Sequence, residues 1–463
     1  MAICIANFIQ AQGIRGQWNG ALDIQGMTLT VVFNIEETED GFKTTMDSPD
    51  QGAKGLPTTS TEFSDNNLVI VADDLGMRYE AALSANGDTL EGTFTQGPME
   101  LLLTMTQKKK EVKTSMRAQD PTDFPYDQEE VKFYNATDNI KLAGTLTTPS
   151  DKNYDQIVVL ISGSGPQNRD EEVAMFNHRP FLVLSDYLTR NGVAVLRYDD
   201  RGVNESEGAQ KGATSEDFAR DVESAIQYIK SRTDLKDKKL GLVGHSEGGM
   251  IAPMVASKND EVDFITLLAG PGTKIDELLL KQASLIGKTQ GVPEDVLNAN
   301  TQILSLVYDY IQENENMEKE ELKAGVIRTF HDNLNIFPKE MLEEIEDKDQ
   351  FIESQADIVI DDWFVFFLRN NPADYLSKVN CPVLAINGGL DLQVPADDNL
   401  NAIKAALTSA GNKNVTIKKF DNQNHLFQEA KTGAPSEYKE IEETFNEITL
   451  KYVTDWITSN DSE

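Results

Sequence analysis

Two hydrophobic rhythms divide the chain. From Gly16 to Gln107, short runs alternate apolar and polar residues or are rich in β-branched ones: Thr28–Ile35 (TLTVVFNI), Asn67–Ala72 (NLVIVA), Met77–Leu83 and Met99–Thr106. Turn signals separate them, at Glu39-Asp40-Gly41, Ser48-Pro49, Asn86-Gly87-Asp88 and Gln96-Gly97-Pro98. Strand-like runs joined this way predict an antiparallel meander over 13–115, closed or half-closed into a small barrel. The proline-bearing stretch Ala118–Tyr126 (AQDPTDFPY) predicts a linker, 116–127. Beyond it, Val131–Tyr134 and Lys141–Thr147 read as a hairpin that opens a second sheet.

From Gln156 the rhythm becomes strand, loop, helix. Continuous apolar runs at Ile157–Ile161, Val193–Arg197, Leu240–Val243, Phe264–Leu268 and Val383–Asn387, with Val415–Phe420, predict a parallel sheet covered on both faces. Helical stretches fall between them at Pro180–Asn191, Ser215–Ser231, Ser246–Lys258 and Asp397–Ala410, and Tyr438–Thr458 closes the chain. The fold class over 128–463 is α/β, a mostly parallel, doubly wound sheet. Between Ala269 and Cys381 about a hundred residues show helical periodicity and no strand, which predicts a helical cap at about 274–372 over the sheet's catalytic edge. Within it, Trp363–Leu368 (WFVFFL) is too apolar for one face of an isolated helix. It reads as buried packing or as a pocket wall.

The chemistry centres on Leu240–Ile251 (LGLVGHSEGGMI). An apolar strand leads into Gly244-His245-Ser246-Glu247-Gly248, and a helix follows. This is G-x-S-x-G in the strand–turn–helix setting that lifts a serine Oγ above a sheet edge. Gly244 and Gly248 leave room where strand and helix nearly touch. A serine nucleophile needs a base, and the base needs an orienting carboxylate. Of the four histidines, His245 lies inside the turn, where packing is its expected role; His178 precedes a helix, and His331 lies in the cap. His425, in a loop after the last strand candidate, is the candidate base. Asp391 follows a strand and two glycines (AINGGLD) and is the candidate acid, with Asp397 and Asp398 as alternatives that better suit a helix start. The backbone N–H of Glu247 and that of Ser164, with Gly165 next, are the candidate oxyanion donors. Asp199 and Arg201 are expected to form a structural ion pair.

Composition narrows the partners. The formal net charge of −35 over 463 residues repels phosphate backbones, so nucleic acid is not an expected partner. No stretch reaches the length of an apolar membrane span. Two cysteines, Cys4 and Cys381, make neither a disulfide framework nor a four-thiolate metal site, and a buried structural thiol is the expected role of Cys381. Residues 1–12 read as the remnant of a secretory signal with cleavage near Ala11, and so as export to the periplasm or medium; a cytoplasmic protein is the alternative.

The segments SGSGPQNRDE (Ser162–Glu171), RYDDRG (Arg197–Gly202), GHSEGG and the Asp391 and His425 loops resemble those of capped bacterial serine carboxylesterases of the α/β-hydrolase superfamily. Gly16-Gln17-Trp18 resembles the G-x-W start of lipocalin-like barrels, and some of these esterases carry an extra N-terminal β domain. The resemblance implies a triad of Ser246, Asp391 and His425, no cofactor, no metal, and a small-molecule acyl ester as substrate. One departure is Ser162, where the commoner motif has histidine. Amide hydrolysis by the same triad, as in a serine aminopeptidase, acyl transfer to an alcohol, and a non-catalytic scaffold are the alternatives.

Overall fold

The computed structural model describes residues 14–459 apart from 25–26, 39–40, 52, 65, 85–86, 98, 108–116, 174–175 and 346. The signal-like segment with Cys4, the turn residues Glu39, Asp40 and Asn86, and Lys108–Lys110 lie outside the described residues.

The first rhythm folds as nine strands: β1 (Gly16–Ile24), β2 (Met27–Thr38), β3 (Gly41–Ser48), β4 (Ala53–Pro57), β5 (Ser60–Ser64), β6 (Asn67–Ala72), β7 (Met77–Leu83), β8 (Thr89–Gln96) and β9 (Met99–Thr106). They form one antiparallel sheet in the order β4-β3-β2-β1-β9-β8-β7-β6-β5. The sheet curls into a half-barrel, with Thr61 Oγ1 of β5 2.7 Å from Thr44 Oγ1 of β3. Alternate residues point inward: along β7, Met77, Tyr79 and Ala81 are buried and Arg78 and Glu80 exposed. Trp18 of the G-x-W motif is fully buried in this core and donates its indole N–H to the Ile14 carbonyl at 2.7 Å. A lipocalin-like half-barrel is therefore what this pattern of residues builds.

The second rhythm is a mixed eight-stranded sheet. A long antiparallel hairpin, β10 (Tyr126–Asn135) and β11 (Ile140–Pro149), opens it. Then come β12 (Gln156–Ile161), helix α1 (Pro180–Arg190), β13 (Val193–Tyr198), α2 (Ser215–Ser231), β14 (Lys239–His245), α3 (Gly248–Ala256) and β15 (Phe264–Leu268). The cap follows as α4 (Ile275–Thr289), α5 (Glu294–Glu313), α6 (Lys319–Asn333), α7 (Lys339–Glu344), α8 (Lys348–Val359), α9 (Asp362–Arg369) and α10 (Ala373–Leu376). The chain returns through β16 (Val383–Gly388), α11 (Ala396–Ser409), β17 (Val415–Phe420) and α12 (Glu447–Ser459). Sheet order is β10-β11-β13-β12-β14-β15-β16-β17, parallel from β13 onward.

Apart from half-buried Lys239 at the start of β14, strands β12 to β16 are buried along their whole length, because helices cover both faces. Residues of α2, α3 and α11, such as Val222, Met250 and Ile403, pack on one face. Those of α1 and α12, such as Leu184 and Val453, pack on the other. The closing helix begins at Glu447 rather than Tyr438. Residues 438–446 are spent on turns and backbone pairing, and Asn446 Oδ1 takes the Ile448 N–H at 3.0 Å at the helix start.

The cap helices build a core of their own from residues such as Ile303, Val307, Val326, Phe330 and Ile352. Helix α9 explains its dense apolar run by serving two cores. Phe364, Val365 and Leu368 face the cap core, whereas Trp363, Phe366 and Phe367 join the main sheet core.

Residues 117–125 are irregular, and they are tied down within the unit that holds the second sheet. Gln119 Oε1 accepts the Phe445 N–H at 3.0 Å, and the Arg117 guanidinium donates to Thr444 Oγ1 at 3.0 Å. The buried Asp120 carboxylate pairs with Arg179 and takes the Arg117 N–H at 2.9 Å. Polar side chains that pin a segment give the same sequence signature as a solvated linker. Asp120→Ala strands the largely buried Arg179 without its partner, a loss of about 3 kcal/mol. Tm of that unit is expected to fall by about 5 °C, which calorimetry checks.

Candidate active site

Strand β14 ends at His245, and Ser246 turns the chain into α3 with a left-handed φ of +52°. A non-glycine residue there stores strain that the surroundings must impose. They do so by contact. A Cβ on Gly244 would lie 2.0 Å from the Gly248 carbonyl oxygen, and one on Gly248 2.2 Å from that of Ile161. The Ser246 N–H is fixed on the Leu268 carbonyl at 2.9 Å. Strain gathers around this point. Among the described residues, the left-handed positions other than glycine and asparagine are Lys152, Glu171, Ser246, Ala269 and Phe427. Ala269 follows the residue that holds the Ser246 N–H, Phe427 lies two residues past His425, and Glu171 bonds to His245.

His425 and Asp391 meet. His425 Nδ1 lies 2.7 Å from Asp391 Oδ2, with both side chains buried. The other Asp391 oxygen accepts the N–H groups of Gln393 at 2.8 Å and Val394 at 2.9 Å. These fixed donors hold the carboxylate in place. The His425 loop is closed by Asn424, whose Oδ1 accepts the N–H groups of Leu426 and Gln428, both at 3.0 Å. Asp397 and Asp398 do not reach the histidine. They begin α11 and pair with Lys419 and Lys281 on the surface.

The loop after β12 carries the other candidate donors. Gly163 packs against the serine, where an added Cβ would come within 3.2 Å of Ser246 Cβ. Its N–H is already committed to Glu171 Oε1 at 2.8 Å. The N–H groups of Ser164, Gly165 and Glu247 have no protein acceptor among the described residues, which leaves them free for a ligand oxygen. Asp199 and Asp200 brace this loop. Asp200 accepts Ser162 Oγ at 2.8 Å and the Gln167 N–H at 3.0 Å. Burial pushes its carboxyl well above the usual range. Asp199 accepts the Arg169 N–H at 2.9 Å and its guanidinium at 2.7 Å. The expected Asp199–Arg201 pair is not formed. Arg201 turns to Asp221 at 2.7 Å and to Asp138 and Asp217, because Arg169 already occupies Asp199.

The remaining histidines lie elsewhere or do other work. His178 is fully buried, bonds the Thr444 carbonyl at 2.9 Å, and is pulled down to about 3 by burial. His331 sits on α6 beside Asp349. His245 is more than packing, since both its ring nitrogens are bonded, one to Glu171 and one to the His425 carbonyl.

Two further contacts escaped the sequence. Glu247 is buried, and its Oε1 accepts Ser215 Oγ at 2.6 Å and the Trp363 indole N–H of α9 at 2.8 Å. Burial raises its pKa and is only partly offset by those two donors. Glu171 was legible only as the end of the SGSGPQNRDE run, where nothing in the spacing distinguishes it from Asp170 or Glu172. Among the described residues no His, Cys, Asp and Glu cluster could hold a metal. Cys381 is half-buried, its thiol pushed up to about 12 by burial.

A crossover sheet, a strained serine at a strand end and a buried His–Asp pair at neighbouring strand ends define the class of fold, that of the α/β-hydrolases. More particularly, residues 179–334 match the family described as serine aminopeptidase, S33. The chain is 25% identical over 354 residues to Esterase EstD of Thermotoga maritima, covering 75% of this chain and 74% of that protein. Among solved structures it is similar to the Pyrococcus furiosus esterase Pf2001, at 16% identity and a TM-score of 0.43, covering 73% of this chain and 92% of the other. It is also similar to Est1E of Butyrivibrio proteoclasticus with bound ferulic acid, at 16% identity and a TM-score of 0.40, covering 72% and 100%.

Proposed function

We propose that the chain hydrolyses carboxylic esters through an acyl-enzyme on Ser246. The observation that carries this reading is the 2.7 Å Asp391–His425 bond at the sheet edge where strained Ser246 also stands. His425 Nε2 takes the Ser246 proton as Oγ attacks the ester carbonyl. Asp391 holds the proton on Nδ1 and offsets the imidazolium charge. The N–H groups of Glu247 and Ser164, with Gly165, receive the oxyanion. The imidazolium then protonates the leaving alcohol, and water deacylates the serine through the same base. The similarity to Esterase EstD supports an ester as the substrate.

The match of residues 179–334 to the serine aminopeptidase family favours a second reading, amide hydrolysis by the same groups. Both readings require a reactive serine, so a fluorophosphonate probe should label the protein at Ser246. A panel of p-nitrophenyl esters beside a panel of aminoacyl amides then separates them. Turnover confined to the amides would overturn the ester reading, and product transfer to added alcohols in preference to water would indicate an acyltransferase. An unlabelled, inactive protein would leave only a scaffold.

Chain length is expected to be limited by the cap. Its acidic stretches, Glu313–Glu321 and Glu340–Asp349, would be costly to press against lipid. Helix α9 is anchored on Glu247 beside the serine. Each methylene that lies along an apolar wall gains up to about 0.8 kcal/mol, and one that meets a closed end gains nothing. On C2 to C16 p-nitrophenyl esters, kcat/KM is expected to fall beyond about eight carbons. A maximum at C12 or longer, or activation at an oil–water interface, would contradict the closed cap.

A further inference from the structure

We infer that Glu171 and His245 are positioning residues for this triad, a buried pair that ties the oxyanion loop and the base loop to the nucleophile turn. The inference rests on the proposed Ser246 chemistry and adds to it two residues that touch none of the reacting atoms.

Three loops meet at this pair. Glu171 Oε1 accepts the Gly163 N–H at 2.8 Å, and Gly163 is the residue against Ser246 in the oxyanion loop. The same oxygen lies 2.9 Å from His245 Nδ1. His245 Nε2 lies 3.1 Å from the carbonyl oxygen of His425. The His245 and His425 rings are 4.9 Å apart. Glu171 is only 5% exposed and adopts a left-handed φ of +51°, a conformation whose cost the surrounding contacts must offset. Among the described residues no other hydrogen bond holds the His425 backbone to the nucleophile turn; without it, the position of the His425 ring depends on the Asp391 bond and the loop's own turns.

The partners also fix the protonation of His245. A carbonyl oxygen only accepts, so Nε2 must donate. A carboxylate only accepts, so Nδ1 donates as well. An imidazole with two donors is an imidazolium, and Glu171 supplies the compensating charge inside the same buried site. Burial opposes this charge, but the attraction of Glu171 and the bonds to Glu171 and to the His425 carbonyl outweigh it, so His245 titrates above the ordinary histidine range. The titratable groups facing it are Glu171, Asp391 and His425, and His178, which is neutral at pH 7, lies within electrostatic reach.

The sign follows from that direction. The imidazolium and both its donors persist below the raised pKa and are lost as pH rises through it. Activity should therefore fall on the alkaline side as the tie to the His425 loop weakens. Glu171→Gln removes the charge that sustains the imidazolium while leaving the site buried, which moves the loss to lower pH. A loop displaced by a fraction of an ångström costs rate rather than binding, so kcat is expected to fall about tenfold with KM changed less than about threefold.

The test compares wild type with Glu171→Gln on one short ester from pH 5 to 10, with fluorophosphonate labelling of Ser246 in both. The expected result is a lower kcat and an alkaline limb shifted to lower pH, with labelling retained. A variant with the wild-type kcat and alkaline limb, or with KM alone changed, overturns the positioning role. Wild type that fails to label at Ser246 defeats the triad reading instead. Should the variant not fold, nitrogen NMR of the wild-type histidine rings decides. Two ring N–H groups on His245 at neutral pH support the pair, and one overturns it.

Discussion

Ser246→Ala is expected to lower ester turnover by at least about 10⁴-fold while the protein stays folded. The proposed nucleophile is lost, yet the contacts that shape the turn do not involve Oγ. The chain is held at φ +52° by the Leu268 carbonyl and by the close approach of Gly244 and Gly248. Alanine inherits the same strained backbone, so its Tm should match that of wild type. Ser246→Gly should be equally inactive but more stable by about 1 kcal/mol, because glycine adopts a left-handed conformation without a Cβ clash. The pair of variants separates chemistry from strain. Steady-state rates and thermal melts check it, and an alanine variant with near-wild-type turnover would refute the assignment.

Asp391→Asn is expected to cost about 10³- to 10⁴-fold in kcat. The carboxylate is committed on both oxygens, to His425 Nδ1 on one side and to the Gln393 and Val394 N–H groups on the other. Asparagine can keep its carbonyl on those two backbone donors. Its amide nitrogen then faces His425 and, being a donor, forces the proton from Nδ1 to Nε2. The base would point a hydrogen at Ser246 where a lone pair is needed. His425→Ala should lose as much, since the two residues act as one unit. Asp397→Asn and Asp398→Asn, whose partners are the surface lysines Lys419 and Lys281, should leave kcat unchanged. A silent Asp391→Asn beside a crippled Asp397 or Asp398 variant would reverse the assignment of the acid.

What was legible in the sequence follows from how local each signal is. The parallel strands are continuous apolar runs because helices cover both faces, and their ends are predicted to within a residue or two. Ser246, Asp391 and His425 could be placed because each follows a strand at one edge of the sheet, and strand ends are visible as pattern. The contacts around them were not legible. His245 reads as packing because its two partners, Glu171 and the carbonyl of His425, lie 74 and 180 residues away. The Asp199–Arg201 expectation failed for a related reason. Arg169, from a segment thirty residues earlier, filled the place beside Asp199, and no local pattern announces a partner that distant. Residues 117–125 looked like a linker because their fastening is polar, and a polar segment carries no apolar signature of attachment.

The chain has three tryptophans, and the fold distributes them as separate optical reporters. Trp18 lies in the half-barrel core, Trp456 on the closing helix bonded to Thr416, and Trp363 on α9. Only Trp363 has its indole N–H on a carboxyl group, that of the residue next to Ser246, with its ring stacked 5.1 Å from Phe367. Carboxyl groups quench indole emission on close contact. With Trp18 and Trp456 replaced by phenylalanine, the remaining fluorescence would report in real time whether α9 lifts from Glu247 as an acyl group arrives and leaves, with no attached dye.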